Sequence, residues 1–163
     1  MMDAGYNAVY QIIQSPGYVT ILTEMIHDIR MIPIDPPGTP RPTPPKELKQ
    51  WIGVSRGHWE GNTLVVETTN FNGRGNANRG QGVNARMVEK FTRTGDKTID
   101  YTFTVYDETI WTKPWTASVP LTADRGPIFE FACHETNYGI ANTLAGARLA
   151  DKEAAAATGQ RGQ

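Results

Sequence analysis

Cysteine is nearly missing from this chain. Cys133 is the only one in 163 residues, which excludes an internal disulfide and any multi-cysteine zinc site. An excess of one charge is missing too: sixteen Lys and Arg stand against seventeen Asp and Glu, for a formal charge of −1. That balance gives no reason to expect a nucleic-acid or membrane partner. No apolar run approaches the ~20 residues of a spanning helix, and Met1 to Tyr10 lacks the basic and then apolar regions of an export signal. The expectation is one soluble β-rich domain over 1–150 with a frayed helical tail over 151–163, in a compartment the sequence leaves open.

Proline and glycine are not scarce, but they are unevenly placed. Seven of eleven prolines lie between Pro33 and Pro45, a stiff, extended connection. Four glycines lie between Asn72 and Asn84 with almost no apolar neighbours, which predicts a mobile loop. Loops of this length in a compact domain are often functional, so both read as rims or lids of a site.

Between them the pattern is that of strands. Val9 to Gln14 and Tyr18 to Ile26 flank Ser15-Pro16-Gly17, a hairpin signal. Asp28 to Ile34 follows as a third strand. His58 to Glu60 and Thr63 to Phe71 meet across Gly61-Asn62, and Arg86 to Thr94 meets Thr98 to Asp107 across Gly95-Asp96. Thr116 to Thr122 and Pro127 to Cys133 complete about eight strands. Alternation puts Leu64, Val66 and Thr68 on one face and Tyr101, Phe103 and Val105 on another. The fold class expected is mainly β: a curled antiparallel sheet or a lipocalin-like up-and-down β-barrel with a C-terminal helix. Lys46 to Trp51 predicts one or two helical turns. The C-terminal helix follows from Tyr138, Ile140, Leu144, Ala147 and Leu149 with Asn137 as its cap.

Gly53-Val54-Ser55-Arg56-Gly57 fits the spacing of a nucleophile elbow, but a hairpin follows where that elbow needs a helix. A turn with Arg56 meeting a carboxylate is the plainer reading. Two polar clusters hold histidine: Glu24, His27, Asp28 and Arg30, and then His134, Glu135, Asn137 and Tyr138. Histidine titrates near neutrality and serves as a base, a buried Glu with a raised pKa as an acid, and Tyr138 as a donor to a developing oxyanion. The same histidines could instead be hydrogen-bonded groups that pin strand ends. No cofactor is expected. A divalent metal would need His27 and His134 with Glu24, Asp28 or Glu135, and no His-x-His or His-x-x-x-His spacing supports it. Trp51, Trp111 and Trp115 could line a cavity for a flat or sugar-like ligand, or simply pack. Cys133 reads as a small buried hydrophobe.

Trp51 to Phe71 (WIGVSRGHWEGNTLVVETTNF), Val88 to Arg93, Trp111 to Thr116 and Cys133 to Gly139 (CHETNYG) together resemble a family of uncharacterised, often exported, β-rich bacterial proteins. The resemblance covers nearly the whole chain. It marks Glu24, His27 and Arg30, and His134, Glu135, Asn137 and Tyr138, as parts of two family motifs. It also implies a longer parent protein, periplasmic or secreted.

The leading expectation is a small-molecule enzyme using His27, Glu24, His134, Glu135 and Tyr138 as acid and base groups for hydrolysis, elimination or isomerisation. Arg30, Trp51, Arg56, Trp111, Trp115 and Asn137 would bind the substrate. No nucleotide or flavin fingerprint is present. The alternatives are a non-catalytic binder of a small ligand, and an interaction domain whose exposed strands pair with a partner or with a second copy, so a homo-oligomer is also expected.

Overall fold

The computed structural model of the chain describes residues 9–38, 42, 44–75, 81–124, 126–132, 135 and 137–159. It falls into two units, Met1–Glu130 and Phe131–Gln163. The first unit holds eight strands: β1 (Tyr10–Ser15), β2 (Tyr18–Thr23), β3 (Ile29–Pro33), β4 (Val54–Glu60), β5 (Thr63–Thr69), β6 (Arg86–Gly95), β7 (Thr98–Tyr106) and β8 (Trp115–Thr122). They form two antiparallel sheets, β1-β2-β3 and β4-β5-β6-β7-β8, each in sequence order. The curled antiparallel sheet is thus the architecture, and no closed barrel forms among the described residues.

The hairpins follow from their turn residues. Gly17 at φ 76° and Gly61 at φ 62° take the left-handed conformation that their tight turns require. Between Arg93 and Gly95 the β6–β7 register slips by one residue, a bulge next to the turn. The two sheets meet where Ile34 bridges Gly57 in parallel and the Asp35 amide donates to the Gly57 carbonyl at 2.7 Å. Gly57 allows this approach, since a Cβ there would lie 2.9 Å from Ile34 Cδ1 and 3.1 Å from Ile32 Cγ2.

One core fills the space between the sheets. Val19, Ile21 and Ile32 from the small sheet pack with Leu64, Val66, Phe71, Met87, Phe91, Tyr101, Phe103 and Val105 from the large one. Alternation within β5 and β7 delivers these side chains inward, as their period-two pattern predicts. Aromatic rings run across the inner face: Phe91 stacks on Tyr101 with centroids 4.7 Å apart, and Tyr101 on Phe103 at 5.6 Å. Trp115 then meets Phe103 edge-on at 5.5 Å, and Trp111 meets Trp115 edge-on at 5.9 Å.

Several boundaries differ from expectation. β4 begins at Val54, just after Gly53, so Ser55, Arg56 and Gly57 are strand residues and Ser55 is buried and inward. Residues 127–132 are not a strand: among the described residues they pair with no neighbour, and Phe129 is exposed, while Cys133, the last residue of the expected strand, lies outside the described residues. Lys46–Trp51 forms a turn instead of a helix, because the Gln50 amide bonds to the Asn70 carbonyl and draws the chain into a bridge with Phe71. Of the two predicted loops, residues 39–41, 43 and 76–80 lie outside the described set.

The second unit contains α1 (Gly139–Gly159). Asn137 caps it as expected, its Oδ1 accepting from the Gly139 amide at 3.2 Å. The helix extends through the alanine run to Gly159, which agrees with alanine's helix propensity.

Candidate functional site

Period-two alternation in β6 turns Met87, Glu89 and Phe91 inward, so a carboxylate is delivered into the core. Glu89 is fully buried, and a buried charge needs a partner. β3 supplies it: Arg30 Nη1 donates to Glu89 Oε1 at 3.1 Å, and Nη2 donates to Oε2. The fork is completed by hydroxyls, with Nε donating to Ser55 Oγ and Nη2 to Thr68 Oγ1, both at 2.7 Å. Ser55 and Thr68 share a further bond of 2.9 Å, and Tyr101 Oη donates to Glu89 Oε1 at 2.8 Å. Burial alone would raise the Glu89 pKa. The Arg30 charge and the bonds from Arg30 and Tyr101 outweigh it and hold the carboxyl at about 2. Burial likewise opposes the Arg30 charge, and Glu89 overcomes it so that the arginine pKa rises.

This cluster ties β3 of one sheet to β4, β5, β6 and β7 of the other. Its groups are mutually satisfied and permanently charged at neutral pH, which suits a structural pin better than proton transfer.

The seam between the two outermost strands is different. Tyr10 and Ile12 of β1 face Ile99 and Tyr101 of β7 and Val119 and Leu121 of β8 across an open cleft of about 600 Å³. The β6–β7 turn forms one rim, with Asp96 and Lys97. Arg93 braces that turn by donating to the Gly95 and Asp96 carbonyls at 3.2 and 2.8 Å. Apolar walls, a tyrosine whose hydroxyl leads into the buried network and a polar rim are what a small organic ligand requires.

The structure distributes the sequence-predicted residues as follows. Arg30 is committed to Glu89, Ser55 and Thr68, and Arg56 pairs with Asp35 at 3.0 Å, the carboxylate contact expected of it. Glu24 is buried and His27 exposed within one turn, where the His27 amide donates to the Glu24 carbonyl at 3.0 Å and His27 has φ 52°. Neither lines the seam cleft. Glu135, Asn137 and Tyr138 lie in the second unit, where Glu135 and Tyr138 are exposed. His134 and Cys133 lie outside the described residues. Trp51 is exposed, while Trp111 and Trp115 pack on the core aromatics with their indole N–H groups buried. Among the described residues no group of three or more His, Cys, Asp or Glu is arranged to hold a metal ion.

Sequence reasoning missed Glu89, Thr68 and the cleft walls. A signal for Glu89 existed, since it is a carboxylate flanked by Met87 and Phe91 on the inward face of β6. The cleft had none, because it depends on which strands end the sheets. No family model, curated protein or solved structure matches the chain.

Proposed function

We propose that the protein is a non-catalytic binder of a small, largely apolar organic molecule, held in the cleft between β1 and β8. The observation that carries this reading is the composition of the cleft: Ile12, Ile99, Val119 and Leu121 as walls, Tyr101 at depth, and charge confined to the rim. An apolar ligand gains about 25 cal/mol for each Å² of apolar surface it buries there. Of the acid and base groups expected of an enzyme, Glu24 and His27 of the same unit do not line the cleft, which favours binding over catalysis there.

The test is titration of an anilinonaphthalene sulfonate probe followed by fluorescence, in wild type and in Leu121→Trp, which fills the cleft. The variant should bind the probe about tenfold or more weakly. Met31→Lys, on the outer face of the small sheet, should bind as wild type does. Equal binding by wild type and Leu121→Trp would refute the assignment.

A further inference from the structure

We propose that β1 pairs antiparallel with β1 of a second copy, about a two-fold axis through Ile13, joining two three-stranded sheets into one of six strands. β1 is the outer strand of its sheet, hydrogen-bonded to β2 on one side, and among the described residues no strand pairs with its other side. A row of backbone donors and acceptors on such an edge is a template for another strand. Protected edges carry charge or proline. β8, the outer strand of the large sheet, holds Pro120, which removes a donor and suits an edge. β1 reads Tyr-Gln-Ile-Ile-Gln-Ser, with neither a charge nor a proline, and both Ile12 and Ile13 are exposed.

A second copy is the partner because the strand matches itself. A two-fold axis between antiparallel strands stands perpendicular to the sheet, so inward residues must meet inward residues. The axis through Ile13 satisfies this: Ile13 meets Ile13 of the partner subunit, Ile12 meets the partner's Gln14, and Gln11 meets the partner's Ser15. Five residues pair, isoleucine packs on isoleucine, and glutamine amides lie beside neutral neighbours. The adjoining outward face adds no repulsion, since Gln11, Ile13, Ser15, Tyr18, Thr20, Leu22, Ile29, Met31 and Pro33 share it and none is charged. Tyr10 and Ile12 still point into the seam cleft, because pairing uses backbone groups in the plane of the sheet.

Sedimentation velocity of the full chain tests the pairing. Wild type should show a dimer that dissociates on dilution. Ile13→Lys sets two ammonium groups directly opposite each other and removes the isoleucine contact, so it should weaken the dimer about tenfold or more. Met31→Lys changes the same face away from the edge and should leave dimerisation unchanged. Far-ultraviolet circular dichroism confirms the fold of each variant. A monomeric wild type, an undiminished Ile13→Lys dimer, or loss of the dimer in Met31→Lys but not in Ile13→Lys would each overturn the proposal, the last in favour of face-to-face stacking.

Discussion

On the five-stranded sheet the outward positions of β4, β5 and β6 include Arg56, His58, Glu60, Glu67, Arg86 and Lys90, whereas the nine outward positions of the three-stranded sheet hold no charge at all. The large sheet's outer surface is knit together across strands. Arg86 donates to Glu67 at 3.1 Å and lies 4.0 Å over the Tyr106 ring, Thr63 bonds Thr92 and Thr104 bonds Thr116 at 2.8 Å each, and Glu60 meets His58 and Lys90. Even Val65, an apolar outward residue there, is buried between the register positions of His58 and Lys90. On the small sheet, Ile13, Ile29 and Met31 stand exposed. Both sheets share one core, so the difference cannot come from the demands of folding. The large sheet's outer face is patterned for water, while the small sheet's outer face is uncharged and exposes Ile13, Ile29 and Met31, the contrast on which the proposed pairing of β1 rests.

The Arg30–Glu89 pair is a buried ion pair that crosses from one sheet to the other, so breaking it has the largest expected effect. Glu89→Ala leaves a buried guanidinium without its counter-charge and should lower stability by about 3–5 kcal/mol in urea unfolding. The double variant Arg30→Met, Glu89→Leu removes both charges and should recover most of that loss. Were the double variant as unstable as the single one, the pair would be joining the sheets through geometry that apolar packing cannot replace.

The same pair sets a pH dependence. The Glu89 carboxyl sits at about 2 in the folded state against an ordinary value of 4.5. A depressed carboxylate stabilises the fold fully above its unfolded pKa and loses that contribution as pH falls toward the folded value. Stability should therefore decline from about pH 5 to pH 2 by about 3 kcal/mol, and the decline should shrink in the double variant. Chemical denaturation midpoints at several pH values measure both.

How much of this was legible in the chain varies with the kind of residue. Hairpins were legible, because Gly17 and Gly61 carry a conformational signal that no tertiary contact overrides. The inward face of β7 was legible because alternation is local. Over residues 127–132 the composition suits a strand, but strand formation needs an available neighbour, and that is a property of the whole sheet. For the site the balance was poorer. Arg30 was singled out, but its partner Glu89 is 59 residues away, and nothing in either segment specifies the other. Glu24 and His27 are neighbours in the sequence, whereas their turn buries one and exposes the other. The seam cleft exists only because β1 and β8 are the ends of their sheets, a fact written nowhere in the local sequence.

A smaller effect sharpens the comparison at the line where the sheets touch. Gly57→Ala would press a methyl group against the ends of Ile34, Ile32 and Leu64, at 2.9, 3.1 and 3.3 Å. The nearest, Ile34 Cδ1, is the end of a flexible side chain, while Ile32 Cγ2 at 3.1 Å is fixed on its own Cβ, so partial repacking should hold the cost to about 1–2 kcal/mol. The control is Gly146→Ala in α1, where a Cβ meets nothing within 4 Å. Helix propensity predicts it to be neutral or stabilising by up to about 1 kcal/mol. If Gly57→Ala were also neutral, the sheets would have slack at their junction and the single-core description would weaken.

The smallest effect tests the outer faces directly. Met31 is 63% exposed, so Met31→Lys should change unfolding free energy by no more than about 0.5 kcal/mol. Arg86→Ala on the large sheet loses an exposed ion pair and a cation–π contact and should cost about 0.5–1 kcal/mol. The two substitutions should separate more clearly in solubility. Met31→Lys places the first charge on an uncharged face and should raise the ammonium sulfate concentration at which the protein precipitates, whereas Arg86→Ala should lower it. A loss above about 1 kcal/mol in Met31→Lys would show that the small sheet's outer face is packed by the chain itself, and the contrast between a finished face and an available one would fail.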